Sequence, residues 1–148
     1  MVTDQLHIIL ADDNKCDRLF FKKALEELKI KPVVKTVNDG AELIDYLSKK
    51  ESSIPSLLFL DLNMPSKNGL QCLKKIRTMD KLKNMIIAIF SNSASEKEID
   101  ETFSNGANVY IKKPGDFNQL KQVLDKVVRT ATVYKDPPFN LANFVFKV

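Results

Sequence analysis

The stretch Leu57-Leu58-Phe59-Leu60-Asp61-Leu62-Asn63-Met64-Pro65 decides the fold class of this chain. Four consecutive apolar residues are typical of a strand that is covered on both faces, as in a parallel sheet. Asp61 ends this run, and an ionised carboxylate is almost never left in an apolar core without a partner. We therefore expect Asp61 to lie at the carboxyl edge of a buried strand, close to a cation.

Charged residues also end two other apolar runs. Asp12 and Asp13 follow the run 6–11, and Lys113 closes the run 109–113. Because right-handed crossovers place the carboxyl ends of parallel strands along one edge of a sheet, these side chains should converge there. Three acids and one ammonium are thus expected in one place.

Apolar runs alternate with stretches of helical periodicity along most of the chain. Strands are predicted at 6–11, 33–37, 57–60, 85–90 and 109–112, and helices at about 15–29, after 40, after 69, after 95 and from 117 to about 130. Five strand–helix repeats with continuous apolar strands indicate a doubly wound α/β domain, with a five-stranded parallel sheet and helices on both faces.

The helices have predicted buried faces and caps. The first helix is expected to bury Leu19, Phe20, Ala24 and Leu28, the fourth to bury Ile99 and Phe103, and the last to bury Phe117, Leu120, Leu124 and Val127. Ser95 followed by Glu98 is a capping-box pattern, and Gly106 suits the C-terminal cap of the same helix. Asp116 is expected to cap the last helix.

Composition limits the class of protein. A chain of 148 residues with 44% hydrophobic content suits one domain. A net charge of +4 without a dense basic stripe gives only weak support for nucleic-acid binding, and no nucleic-acid partner is expected. No apolar run approaches the ~18 residues of a spanning helix, so we expect a cytoplasmic protein without membrane contact. Cys16 and Cys72 lie in helical patterns and are predicted to be buried, reduced thiols.

The converging acids indicate a metal site. Like charges raise one another's pKa, so Asp12, Asp13 and Asp61 need a cation. Oxygen ligands without His or Cys favour Mg²⁺. With Mg²⁺ bound, one carboxylate can attack a phosphoryl group while Lys113 helps to neutralise the oxygens. Ser91, at the end of the fourth strand, offers a hydroxyl that can bind a phosphoryl oxygen and move with it.

Together these residues resemble the receiver domains of two-component response regulators. The resemblance covers about 6–128 and is carried, in family order, by Asp12-Asp13, Asp61 within Asp-Leu-Asn-Met-Pro, Gly69, Ser91, Gly106-Ala107-Asn108 and Lys113-Pro114. It implies a flavodoxin-like sheet of order 2-1-3-4-5. Finer features, such as the Asp-Asp-Asn start, are similar to the stand-alone regulators associated with phytochrome-type kinases.

The resemblance also implies a role for each site residue. Asp61 would be the phosphoacceptor and a metal ligand. Asp12 and Asp13 would hold Mg²⁺ directly or through water, and the backbone carbonyl of Asn63 would complete the metal shell. Ser91 and Lys113 would bind the phosphoryl group, and the rotamer of Tyr110 would report the phosphorylation state, while the lifetime of the phosphoryl group would be tuned by Asn63, Asn92 and Ser93. The protein would act as a switch and not as an enzyme.

The same resemblance implies partners and a domain plan. A receiver domain at 4–130 would be followed by an apolar tail at 131–148 and no output domain. A separate histidine kinase or histidine phosphotransfer protein would load Asp61, and a downstream protein would bind the phosphorylated form. The sequence does not decide whether the protein forms a homodimer. The tail is expected either to fold back on its own domain or to pair with a partner subunit.

Three alternatives compete with this interpretation. A haloacid-dehalogenase-type phosphatase also uses a strand-end Asp, but it typically needs a second acid two residues later, where this chain has Asn63. A receiver-like adaptor that works without phosphorylation would not require the acid pair and Lys113. A flavodoxin-type protein would need a phosphate-binding loop after the first strand, and the sequence has none there.

Overall fold

The computed structural model describes residues 6–29, 31–49, 55–64, 68–133 and 145–146. The strands are β1 (His7–Ala11), β2 (Val33–Val37), β3 (Leu57–Leu60), β4 (Ile86–Ser91), β5 (Val109–Lys112) and β6 (Val145–Phe146). The helices are α1 (Lys15–Glu26), α2 (Gly40–Ser48), α3 (Gly69–Arg77), α4 (Glu96–Ser104) and α5 (Phe117–Val133), with a 3-10 turn at Asp80–Leu82. In this part of the chain, no helix has the length and apolar character needed to cross a bilayer.

The strands form one sheet of order β2-β1-β3-β4-β5-β6, and each strand pair that the structure describes is parallel. The predicted order 2-1-3-4-5 is confirmed. The chain reverses its direction of travel across the sheet between β1 and β3, which are neighbours. Ligands of doubly wound sheets bind at such a switch point, outside the carboxyl ends of the strands.

Helices cover both faces of the sheet with two separate cores. On one face α2, α3 and α4 bury Leu43, Leu73 and Ile99 against alternate strand residues. On the other face α1 and α5 bury Phe21 and Leu124. Both faces of the strands are therefore apolar, which explains why their residues form continuous apolar runs instead of alternating with polar ones.

A sixth strand extends the sheet beyond the predicted five. Val145 pairs with Tyr110 and Phe146 pairs with Ile111, in parallel with β5. These two residues of the predicted tail lie against their own domain, and α5 runs to Val133 instead of about Thr130. The tail residues 134–144 and 147–148 lie outside the described residues.

The predicted buried face of the first helix is confirmed for Ala24 and Leu28, which are buried, and wrong for Leu19 and Phe20. Leu19 and Phe20 are 49% and 53% exposed, whereas Phe21 is fully buried. The ring of Phe21 packs edge-on against Phe59 at 4.9 Å and Phe90 at 5.9 Å between ring centroids. This aromatic cluster sets the rotation, because the Phe21 ring makes edge-on contacts with two other buried rings of the same core. The helix also ends at Glu26, earlier than expected.

Two other burial predictions were also wrong. Cys16 is exposed on the solvent side of α1, although Cys72 is buried as expected. On α4 the side chain of Phe103 is exposed and Thr102 is buried in its place. The Thr102 hydroxyl donates to the backbone carbonyl of Glu98 at 2.8 Å, which removes the main cost of burying it.

The predicted caps at Ser95, Gly106 and Asp116 are confirmed, but the Glu98 side chain accepts from the Ser95 hydroxyl and not from its backbone N–H as a full capping box requires. The side chain of Ser95 accepts from the Glu98 backbone N–H, and that of Asp116 accepts from the Gln119 N–H. Gly106 follows α4 with a φ of 100°, in the left-handed region that favours glycine. The caps at Ser95 and Asp116 follow the carboxyl ends of β4 and β5, whereas Gly106 precedes the amino end of β5.

Candidate functional site

Backbone hydrogen bonds hold the strand-end residues at one edge of the sheet. The Asp61 N–H donates to the Ala11 carbonyl at 3.0 Å, and the Asp12 N–H donates to the Val37 carbonyl at 3.2 Å. The Lys113 N–H donates to the Ser91 carbonyl at 2.7 Å. The parallel ladders thus continue one residue beyond the strands, which gives these side chains little freedom to move away from the edge.

Three carboxylates meet at this edge. Asp12, Asp13 and Asp61 each have a carboxylate oxygen within 4.8 Å of the other two. Asp12 and Asp61 are buried and Asp13 is exposed, so the cluster opens to solvent on one side.

The donor set of this cluster fits a hard divalent cation. Backbone N–H groups bind one oxygen of each buried acid: Asn14 donates to Asp12 Oδ1 at 2.9 Å and Asn63 donates to Asp61 Oδ1 at 3.0 Å. Asp12 Oδ2 is buried and accepts no hydrogen bond from the described residues. The cation next to this oxygen is the Lys113 ammonium, whose Nζ lies 2.9 Å away, and carboxylate oxygens are the ligands that Mg²⁺ prefers. The predicted metal contact of the Asn63 carbonyl stays a prediction.

The ammonium of Lys113 lies among the carboxylates. Its Nζ is 2.9 Å from Asp12 Oδ2, 2.8 Å from Asp17 Oδ2 and 3.3 Å from Asp61 Oδ2. The contact with Asp12 is an ion pair without the geometry of a hydrogen bond, whereas Asp17 and Asp61 both accept hydrogen bonds. Burial lowers the Lys113 pKa, but the hydrogen bonds and charges of these acids outweigh it and raise the pKa well above its usual range. Lys113 therefore stays charged.

A buried hydroxyl and a buried tyrosine are linked through one exposed loop residue. The Ser91 side chain is buried at the end of β4, and its Oγ accepts from the Ser93 N–H at 3.3 Å. The Tyr110 ring is buried on β5, and its hydroxyl donates to the Ser93 carbonyl at 2.7 Å. Asn92 and Ser93 are both exposed. A displacement of Ser91 would therefore reach Tyr110 through the backbone of Ser93 and through the hydrogen bond between the Ser91 and Tyr110 side chains.

The comparison with protein families decides the identity of this fold. A model of the response regulator receiver domain matches residues 8–125. The chain belongs to this family.

Sequence relatives and solved structures agree with this assignment. A chemotaxis protein CheY homolog of Campylobacter jejuni is 31% identical over 127 residues, which cover 86% of this chain and 95% of that protein. The probable methanogenesis regulatory protein FilR2 of Methanothrix harundinacea is 28% identical over 127 residues, covering 84% of this chain and 82% of that protein. The phosphorylated cyanobacterial phytochrome response regulator RcpA superposes with a TM-score of 0.78 at 32% identity, covering 84% of this chain and 91% of that structure.

Membership in the receiver family decides between the alternatives that share this fold. Receiver domains are phosphorylated on an Asp with Mg²⁺, and they bind the metal at the acidic pocket that Asp12, Asp13 and Asp61 form in this chain. They typically act as signalling switches. The dehalogenase-type phosphatase and the flavodoxin are therefore discarded.

The receiver domain contains one site residue that the sequence prediction missed. Asp17, in the first turn of α1, makes the shortest of the three carboxylate contacts with Lys113. Its spacing was available as a signal, since it follows Asp13 by about one helical turn. An acid in a first helical turn is common for another reason, however, because it interacts favourably with the helix dipole.

Burial raises the pKa of Asp61 in this receiver domain from its ordinary value near 3.8 to about 6. The Asn63 N–H and the Lys113 charge oppose this rise, and the charge of Asp12 adds to it. In the metal-free protein, folding thus destabilises the ionised form of Asp61. A bound divalent cation would stabilise that ionised form.

This shift predicts how the stability of the metal-free protein depends on pH. Because the native state holds the Asp61 proton more tightly than the unfolded chain, its contribution is fully present below pH ~4 and is lost as pH rises through ~6. The free energy of unfolding of Asp61→Asn, minus that of wild type, should thus grow by roughly 2–3 kcal/mol between pH 4 and pH 7. Urea unfolding in EDTA measures it, and a difference that does not change with pH would contradict the shift.

Proposed function

We propose that this receiver domain accepts a phosphoryl group on Asp61 from a histidine kinase or a histidine phosphotransfer protein. The observation that carries the proposal is the set of three carboxylates within 4.8 Å of one another, with the Lys113 ammonium 3.3 Å from Asp61 Oδ2. An Asp61 oxygen attacks phosphorus, the O–P bond forms, and the bond to the imidazole nitrogen of the donor breaks with its electron pair left on that nitrogen.

Each charged residue has a defined task in this step. Asp12, Asp13 and Asp61 are the side chains that hold Mg²⁺, with the Asn63 carbonyl as a further ligand. Mg²⁺ supplies charge neutralisation for the phosphoryl oxygens when it is bound. Lys113 is confined by its ion pairs at the same edge and offers its N–H groups to a phosphoryl oxygen.

The signal is a change in protein binding. We propose that the Ser91 hydroxyl bonds to a phosphoryl oxygen, which breaks its long contact with the Ser93 N–H. The Ser93 carbonyl, which accepts a hydrogen bond from the Tyr110 hydroxyl, then moves, and this hydrogen bond breaks. The population shifts toward a state in which the surface formed by α4, β5 and α5 binds a downstream protein.

We propose that two exposed residues affect the lifetime of the acyl phosphate. A relative of this chain supports a class of phosphoryl donor. Asn92 and Ser93 are exposed and directly follow Ser91, and we propose that they tune the attack of water and hence the phosphoryl lifetime. The similarity to the phytochrome response regulator RcpA supports a phytochrome-type kinase as the donor.

Chemical trapping tests the proposed phosphoacceptor in the unmodified protein. The receiver domain is incubated with acetyl phosphate, with and without Mg²⁺, and the acyl phosphate is reduced with borohydride before peptide mapping by mass spectrometry. We expect one modification, at Asp61, that requires Mg²⁺, because an acyl phosphate is reduced whereas a phosphoserine is not. Modification at another residue would overturn the assignment of Asp61, equal modification in EDTA would overturn the role of Mg²⁺, and no modification at all would favour an adaptor that works without phosphorylation.

A further inference from the structure

The shortest contact of the Lys113 ammonium is with a carboxylate that does not belong to the metal cluster. Nζ lies 2.8 Å from Asp17 Oδ2 and 3.3 Å from Asp61 Oδ2. The Lys113 side chain is only 7% exposed and that of Asp17 is 33% exposed, so solvent screens this pair incompletely. The ammonium is thus held more closely by α1 than by the proposed phosphoacceptor.

The position of Asp17 is set by the loop that also carries Asp12. Asn14 caps α1 and accepts from the Asp17 N–H at 2.9 Å. The N–H of the same Asn14 donates to Asp12 Oδ1 at 2.9 Å. One residue therefore ties the start of α1 to a buried acid of the site. Favourable placement at a helix N-terminus accounts for an acid in this turn, but it does not account for an ion pair with the lysine that follows β5.

Three carboxylates share one ammonium. A lysine ammonium has three N–H donors, and Asp12, Asp17 and Asp61 all face it. When a phosphoryl group is on Asp61, at least one donor must turn to a phosphoryl oxygen. Asp17 is not one of the three acids of the metal cluster, so the donor that it holds at 2.8 Å is one that a phosphoryl oxygen would have to win from it. Its negative charge also opposes the approach of an anionic donor.

We propose that Asp17 is a positioning residue that restrains Lys113 in the unphosphorylated state and thereby disfavours the phosphorylated one. The inference rests on the proposed function of Asp61. It predicts that removal of the Asp17 charge makes the site bind a phosphoryl group more tightly, whereas a residue that supports Lys113 in its working position would have the opposite effect when removed.

Beryllium fluoride, a mimic of the phosphoryl group, tests this in the presence of saturating Mg²⁺. Asp17→Asn should bind beryllium fluoride roughly three- to tenfold more tightly than wild type, the range expected for loss of a partly screened ion pair. Asp17→Glu keeps the carboxylate and should return the affinity toward the wild-type value. The matched control is Asp116→Asn, which removes an acid three residues after Lys113. Its side chain caps α5, and Asn is an equally good cap, so its affinity should stay within about twofold.

A second measurement reports on the ion pair without metal or phosphoryl group. Trace acetylation in EDTA, read by mass spectrometry, gives the reactivity of the Lys113 amine. We expect it to rise about threefold or more in Asp17→Asn, because the ammonium loses its closest partner, and to stay unchanged in Asp116→Asn.

The outcomes separate this inference from the proposed function. Unchanged or weaker beryllium fluoride binding by Asp17→Asn, or an unchanged Lys113 reactivity, overturns the role of Asp17 while wild-type labelling at Asp61 stands. If wild type neither binds beryllium fluoride nor labels at Asp61, the proposed function fails and the inference fails with it.

Discussion

Asp61→Asn should reduce labelling by acetyl phosphate at least ~100-fold, because the neutral amide is a far weaker nucleophile than a carboxylate and a poorer ligand for Mg²⁺. The substitution is nearly isosteric. The side-chain oxygen of Asn can still accept the Asn63 N–H that now donates to Asp61 Oδ1 at 3.0 Å. The loss is read as the phosphorylated fraction by intact mass after a fixed incubation.

Misfolding would not explain this loss. Burial raises the pKa of Asp61, so the ionised side chain destabilises the metal-free fold at neutral pH, and the amide should leave the protein at least as stable in EDTA. The matched control is Asp45→Asn on α2, where the side chain is 76% exposed and pairs with Lys49 at 3.8 Å. It should label like wild type. Normal labelling of Asp61→Asn would show that the phosphoacceptor is another residue.

Gly69→Ala should destabilise the protein by about 2–3 kcal/mol, as expected for overpacking of a tight contact. A Cβ at residue 69 would lie 2.4 Å from the Asp61 carbonyl oxygen and 2.6 Å from the Leu62 Cα, both of which are backbone atoms that cannot rotate away. The Gly69 N–H also donates to the Leu62 carbonyl at 3.0 Å. The first turn of α3 must therefore move away from the segment that carries Asp61.

The same displacement should weaken Mg²⁺ binding, since it shifts the backbone of a metal-site residue. Urea unfolding gives the stability, and a titration with Mg²⁺ gives the affinity. Gly115→Ala is the matched control, because a Cβ there would meet nothing within 4 Å, so its stability should change by no more than ~0.5 kcal/mol. Equal effects of the two substitutions would show that the close approach of α3 does not constrain the site.

The strands and the converging site were predictable because each is encoded locally. A run of four apolar residues that ends in Asp61 carries both the buried strand and the charged edge in one segment. Parallel topology then brings the strand ends together without any knowledge of side-chain packing. The structure places Asp12, Asp13, Asp61 and Lys113 together as expected.

The rotation of α1 was not predictable because the local pattern is ambiguous. Leu19, Phe20 and Phe21 are consecutive apolar residues, so helical periodicity allows more than one buried face. The choice depends on Phe59 and Phe90, which come from two distant strands and form the edge-on cluster with Phe21. Exposure of Cys16 follows from the same rotation.

The sequence by itself determined the parallel α/β fold and the residues at its functional edge, because hydrophobic runs and strand-end charges are local properties of the chain. Only the tertiary structure decided how the ammonium of Lys113 is shared. Asp17 and Lys113 are 96 residues apart, and nothing in either local segment specifies their contact. The contact exists because α1 and β5 pack into the same apolar core. This packing, and neither segment alone, sets the distance of 2.8 Å between the two side chains.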